Sequence, residues 1–308
     1  MPAERERLAQ IKTNLEHRAQ IYDLVREFFR GRGFLEVETP VRVPAIAPEI
    51  NIAPLQSDGW YLITSPELHM KRLLAASYKQ IFQISHCFRK HERGRLHNPE
   101  FSLLEWYRTD ANCTDTISDT EQLVSTLIQK LQSSNILHYQ GQSIDMQLPW
   151  HRLSIKNAFL QIAGWNPVSD YNAERFDHDM STLILPSLNP ARPTVLVEYP
   201  AAAASLARLK ADDLQVAERA EVFIGGMELA NAYSELADAA EQLQRFMKEA
   251  SQIEYTYGMK MPISGPFIDA VSHLPECSGI ALGMDRLVML LCDAASIDEV
   301  CAFTEDNI

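Results

Sequence analysis

Two adjacent glycines constrain this chain more than any other local feature. Gly225 and Gly226 separate Glu221-Val222-Phe223-Ile224 from Met227-Glu228-Leu229, and a Gly-Gly pair between two strand-like runs signals a tight hairpin whose central residues both need positive φ. A two-residue turn sets Phe223 opposite Glu228 and leaves Glu221 diagonal to Glu228 on the same face. Two carboxylates then share one space. A hard divalent cation such as Mg²⁺ resolves that repulsion, although two unrelated acids on a solvated face show the same pattern.

A second hairpin is expected between Ile81–Phe88 and Phe101–Tyr107, joined by a charged loop containing Gly94. Helices are expected around it. Leu8, Ile11, Leu15, Tyr22, Val25 and Phe29 recur at helical spacing before Gly31 and Gly33, and Ser65-Pro66-Glu67 reads as the start of a helix running to about Ala76. Further helices are expected over Asp115–Leu131 and Asp238–Ile253, and a short strand over Phe34–Pro40. Gly279–Gly283 reads as a strand entering a helix near Met284. Hairpin-linked strands with helices between them predict an α+β fold built on an antiparallel sheet flanked by helices. No repeat or flexible linker divides residues 1–308, so a single domain is expected, with a mixed, helical insertion over about 110–215; its stretch 134–192 suggests no chemistry.

Net charge narrows the ligand. The 308 residues carry 41 acids against 28 Lys and Arg, a formal charge of −13, which opposes general nucleic-acid binding. Yet Arg89-Lys90-His91-Glu92-Arg93-Gly94-Arg95-Leu96-His97 is locally cationic. That reversal suits a small anion such as a nucleoside triphosphate, because Arg forks and a loop glycine fit phosphate oxygens; a solvated hairpin tip has the same composition. Arg286, in the first turn of the last predicted helix, opposes the helix dipole unless an anion binds there. Alternation places Glu105 and Tyr107 on one strand face, an acid and a phenol able to receive an ammonium group, unless the acid simply faces water. The five cysteines are scattered without a CxxC pair, which predicts reduced thiols in the cytoplasm. No stretch is apolar enough for a membrane span.

Taken in order, Phe88-Arg89, His97-Asn98-Pro99-Glu100-Phe101, Glu105-Trp106-Tyr107, Gly225 through Glu235 and Gly283-Met284-Asp285-Arg286 resemble the class II lysyl-tRNA synthetase catalytic core over nearly the whole chain. Gly33-Phe34 through Pro40 is similar to that class's dimer-forming motif, which implies a homodimer. Only one helix precedes that motif, where a tRNA-charging enzyme has an anticodon-binding barrel. Thr64-Ser65-Pro66-Glu67 through Leu74 and Cys277-Ser278-Gly279-Ile280-Ala281 resemble instead the free-standing ligases that attach (R)-β-lysine to a lysine of translation elongation factor P.

That resemblance implies ATP and Mg²⁺ as reactants, elongation factor P rather than tRNA as acceptor, and a set of roles. Arg89 holds the ATP α-phosphate and the substrate carboxylate, Phe101 stacks on adenine, His97 and Arg286 hold the outer phosphates, and Asn98 belongs to the same ATP-binding motif. Glu221 and Glu228 bind the metal. Ser65 and Glu67 meet the amino group nearer the carboxylate, Glu105, Tyr107 and Glu235 surround the terminal amine, and Asn231 lies beside the carboxylate. Ala281 replaces a glycine of the tRNA enzymes, and one methyl can shift preference between lysine isomers. The chain departs from the motif twice. His91 stands where the family has an acid, with Glu92 next, so both are candidates for the adenine amino group. Strict alternation also puts Asn231 and Glu235 on the face opposite Glu228, so the family's site requires a bulge or helical turn after Glu228. Two rival readings remain at this level: a truncated synthetase charging RNA, and an inactive amino-acid-binding paralogue.

Overall fold

The computed structural model describes residues 2–308. In chain order the elements are α1 (Pro2–Gln10), α2 (Lys12–Arg30), β1 (Leu35–Glu36), β2 (Arg42–Val43), β3 (Gln56–Ser57), β4 (Trp60–Leu62), α3 (Glu67–Ala75), β5 (Gln80–Phe88) and β6 (Glu100–Thr109). They continue with α4 (Cys113–Gln132), β7 (Ile136–Tyr139), β8 (Gln142–Asp145), β9 (His151–Ser154), α5 (Ile155–Ile162), α6 (Ala173–Asp179), α7 (Leu185–Ser187), β10 (Thr194–Pro200), β11 (Val216–Ile224) and β12 (Met227–Ser234). The last four are α8 (Ala239–Tyr257), α9 (Gly265–Val271), β13 (Cys277–Gly283) and α10 (Met284–Leu291). The chain forms two compact units, one of Met1–Thr109, Ala237–Pro275 and Leu282–Ile308, the other of Asp110–Leu236 and Glu276–Ala281.

In the first unit β5 and β6 pair antiparallel from Gln80 opposite Arg108 to Phe88 opposite Glu100, and β1 joins β5 in parallel. Antiparallel pairing therefore dominates, with a parallel strand at the edge. Strands β2, β4 and β3 form a separate small sheet. The expected first helix is broken at Ile11 into α1 and α2. The inner side of α2 seals the sheet: Phe29 lies flat on Phe82 at 4.9 Å between ring centroids and also meets the rings of Phe34 and Trp106, with Phe29, Phe82 and Trp106 wholly buried. Truncating such a ring loses transfer energy and leaves a cavity. Phe29→Ala is expected to destabilise the protein by about 3–5 kcal/mol, measurable as a lowered urea midpoint; a loss under about 1 kcal/mol would show that this cluster does not hold α2 down.

The second unit carries the Gly-Gly hairpin. Gly225 and Gly226 have φ of 58° and 77°, the double left-handed turn that glycine adopts without a Cβ penalty. Val222, Ala220, Ala230 and Ala232 turn one face of β11–β12 inward, and each is at most 2% exposed. β10 pairs antiparallel with β11 and parallel with β9. Behind them Phe159 stacks on Phe176 at 4.9 Å, edge-on to Trp165, in a core that includes Ile155, Leu196, Tyr199 and Phe223. This is the insertion that the sequence leaves unassigned.

Candidate active site

In the first unit, β5 and β6 present a cationic end and an acidic interior. Arg89 directly follows β5 and is tied to the start of β6 by its amide, which donates to the Pro99 carbonyl at 2.9 Å. Its guanidinium lies 5.1 Å from the Phe101 ring centroid and pairs with Glu92 at 3.1 Å. Burial opposes the charge, but Glu92 and Glu49 overcome it and hold the Arg89 pKa above its ordinary value. The Nε of Arg89 is buried and finds no acceptor among the described residues, so one edge of the fork is available to a ligand oxygen.

Beside it, an Arg286 terminal nitrogen lies 2.5 Å from His97 Nε2. Burial and then the neighbouring Arg286 lower the His97 pKa, which favours a neutral imidazole accepting the guanidinium proton. The rest of the cationic loop is engaged elsewhere. Arg93 pairs with Glu305 and, at 3.9 Å, with Asp306, and Arg95 donates to the Ala295 carbonyl at 2.8 Å. Asn98 takes the Glu305 amide at 3.0 Å and donates to the Glu100 carbonyl at 2.5 Å. His91 is exposed, and Glu92 turns to Arg89 rather than outward. Arg93 is thus neutralised by acids, whereas Arg95 keeps its charge but spends a donor on a backbone carbonyl. The acids that neutralise Arg93 lie more than 200 residues away in sequence, where loop composition gave no sign of them.

The acidic interior is sharper than alternation suggested. Glu105 is 1% exposed and does not face water. Ser65 Oγ donates to its Oε1 at 2.6 Å and Tyr107 OH to its Oε2 at 2.8 Å. Ser65 also accepts the amide of Glu67 at 3.0 Å, which anchors the start of α3. Burial and the nearby Glu67 push the Glu105 carboxyl up to about 7, against the opposing effects of Ser65, Tyr107 and Lys71. Lys71 was missed by sequence reasoning. It is 2% exposed and contacts Glu67 Oε1 at 2.5 Å; the i,i+4 spacing was visible, but its burial was not.

In the second unit the hairpin register places Phe223 opposite Glu228 and Glu221 opposite Asn231, with a bulge at Leu229. Of the bulge or helical turn that the resemblance implied after Glu228, the structure has the bulge. It returns Asn231 to the face of Glu221 and Glu228, where Asn231 Oδ1 is buried without a donor among the described residues. Glu235 follows four residues on and is 2% exposed, and Ala281 lies half-buried on β13. Arg219, also missed, pairs with Glu221 at 2.6 Å and stacks over Tyr199 and Tyr233, with centroids at 4.6 and 5.7 Å.

Among the described residues no group of three or more His, Cys, Asp or Glu side chains could hold a metal. Two carboxylates nevertheless suit Mg²⁺, which binds through one or two protein acids and takes its remaining oxygens from phosphates and water. Glu221 and Glu228 are such a pair, with Arg219 orienting the first.

The architecture and these motif positions agree, and the chain belongs to the class II tRNA synthetase family (D, K and N), which matches residues 5–307. It is 39% identical to proteins named elongation factor P–(R)-β-lysine ligase in Salmonella arizonae, Salmonella paratyphi A and Pectobacterium carotovorum subsp. carotovorum. Each alignment covers 96% of this chain and 95% of the relative. No helix among the described residues is long and apolar enough to cross a membrane.

Proposed function

We propose that this protein activates (R)-β-lysine with ATP and transfers it to a lysine side chain of translation elongation factor P. The observation that carries the first half is Arg89: a guanidinium stacked on Phe101, charge-stabilised by Glu92, with a buried Nε that has no acceptor among the described residues. In the first step a carboxylate oxygen of β-lysine attacks the ATP α-phosphorus and pyrophosphate leaves. Arg89 bridges the two anions, which repel each other without it, and holds them in line. His97 and Arg286 receive the outer phosphates, and Phe101 supports the adenine. Glu221 and Glu228 would hold Mg²⁺, which would supply charge neutralisation for the phosphates.

Glu105 receives the terminal ammonium, with Tyr107 holding the carboxylate by its proton and keeping its own oxygen as an acceptor. Glu67 takes the other amino group, and Asn231, Glu235 and Ala281 complete the recognition of the chain. In the second step the neutral ε-amine of the acceptor lysine attacks the adenylate carbonyl; AMP leaves, a proton is released and an amide remains. A homodimer assembled through the α2 and β1 region in the cytoplasm fits the resemblance, and a protein acceptor fits the net charge of −13.

The test is the intact mass of elongation factor P after incubation with this protein, ATP, Mg²⁺ and either α-lysine or (R)-β-lysine. A gain of one lysyl unit, larger with the β isomer, is expected. Pyrophosphate exchange without any gain would show an amino-acid-activating enzyme with a different acceptor.

A further inference from the structure

Lys71 is a buried cation that the reaction scheme does not use. It lies on the inward side of α3 with Leu68, Met70 and Leu74, and its side chain is only 2% exposed. Removing an ammonium from water is costly, and replacing a buried ion pair with apolar residues is often neutral or stabilising. Stability alone is therefore a weak reason for this pair to be here.

Its surroundings supply another reason. Lys71 Nζ lies 2.5 Å from Glu67 Oε1, and Ser65 Oγ links Glu67 to Glu105 by accepting from the Glu67 amide and donating to Glu105 Oε1. The groups facing Glu105 in this unit are Glu67 and Lys71 from α3, Ser65 before it, Tyr107 on its own strand, and Gln83 and Cys87 from β5. Burial and Glu105 push the Cys87 thiol up to about 12, so it adds no charge at neutral pH. With Glu105 ionised, the cluster holds two carboxylates and one ammonium. Without Lys71 it would hold two carboxylates, each raising the cost of ionising the other.

We propose that Lys71 is a positioning residue for substrate recognition: it tethers Glu67 through one oxygen and balances its charge, so the cluster of Ser65, Glu67, Lys71 and Glu105 presents a single net negative charge, through Glu105, to the substrate's terminal ammonium. This rests on the reading of Glu67 and Glu105 given above. The two α3 residues bias Glu105 oppositely, Glu67 toward its protonated form and Lys71 toward its ionised form.

The experiment is ATP–pyrophosphate exchange with (R)-β-lysine, followed from about pH 6 to 9, for the wild type, Lys71→Met, Lys71→Arg, Glu67→Gln and the double variant Glu67→Gln/Lys71→Met. Lys71→Met is expected to raise the amino-acid KM about tenfold or more, with the ATP KM within about twofold. The pH above which the amino-acid KM levels off should move upward in Lys71→Met and downward in Glu67→Gln, while Lys71→Arg stays near wild type. An unchanged KM in Lys71→Met, or a raised KM with an unmoved pH midpoint, overturns the proposal. If Lys71→Met does not fold, the comparison passes to the double variant, which removes both members of the Glu67–Lys71 pair together. Its midpoint should lie above that of Glu67→Gln, and equal midpoints overturn the proposal. A wild-type protein that exchanges with no lysine isomer defeats the proposed function itself, whereas wild-type exchange with an indifferent Lys71→Met defeats this inference alone.

Discussion

Arg89→Ala is expected to lower kcat/KM for ATP–pyrophosphate exchange by about a thousandfold or more, in line with losing a guanidinium that stabilises a phosphoryl-transfer transition state. The side chain does three things that alanine cannot. It stacks on Phe101, donates to the Glu92 carboxylate and carries a buried Nε that has no acceptor among the described residues. Lysine should rescue poorly, because an ammonium cannot reproduce a planar fork that is stacked and paired at once. The loss should fall on kcat as well as KM, since the two anions held by Arg89 come closest in the transition state. Exchange within about tenfold of wild type would remove Arg89 from the phosphate site.

The second large effect concerns Glu105. Its carboxyl titrates at about 7 rather than near the ordinary value of 4.5, chiefly through burial and then the neighbouring Glu67. Only the ionised form attracts an ammonium. Because this acid's pKa is raised, the ionised fraction grows as pH rises through about 7, and binding strengthens in that direction. The amino-acid KM is therefore expected to fall about tenfold between roughly pH 6 and pH 8 and then to level off. Glu105→Gln keeps the shape and removes the charge. It should raise the amino-acid KM by about a hundredfold, the cost of stripping a buried charge of its partner, and flatten this pH dependence while leaving the ATP KM nearly unchanged. A Glu105→Gln enzyme that retained the wild-type slope would place the titrating group elsewhere.

Much of this site was legible because its motifs are local. The Gly-Gly turn dictates its own hairpin, and Phe223 does face Glu228. The bulge was one of two irregularities, with a helical turn, that the resemblance implied once strict alternation put Asn231 and Glu235 on the wrong face. Ser65, Glu105 and Tyr107 meet within hydrogen-bonding distance, as spacing and resemblance together implied. What escaped depends on contacts distant in sequence. Glu305 and Asp306 neutralise Arg93, Arg219 is sandwiched between Tyr199 and Tyr233, and β9 joins β10 in parallel across an intervening helical segment. None of these leaves a periodic trace. Lys71 shows the same limit at short range, because an i,i+4 Glu–Lys pair reads as a solvated helix face until burial is known.

The ties between the chain's two ends have a consequence for its synthesis. Asp285 pairs with Arg18 at 2.6 Å and accepts the Ser102 amide at 2.8 Å, while Asn14 donates to the Glu299 carbonyl and Arg7 to the Ala302 carbonyl. These bonds span from 183 to 295 positions. At about 5–20 residues per second, the ribosome completes α2 some ten seconds or more before it has made Asp285, which pairs with Arg18 on that helix. Through that interval two of the partners of Arg18 in the finished fold, Asp285 and the Val300 carbonyl, do not yet exist. The nascent chain carries α2 without these ties, and the unit containing Arg89 and Glu105 completes them only after Asp285 and Val300 have been made.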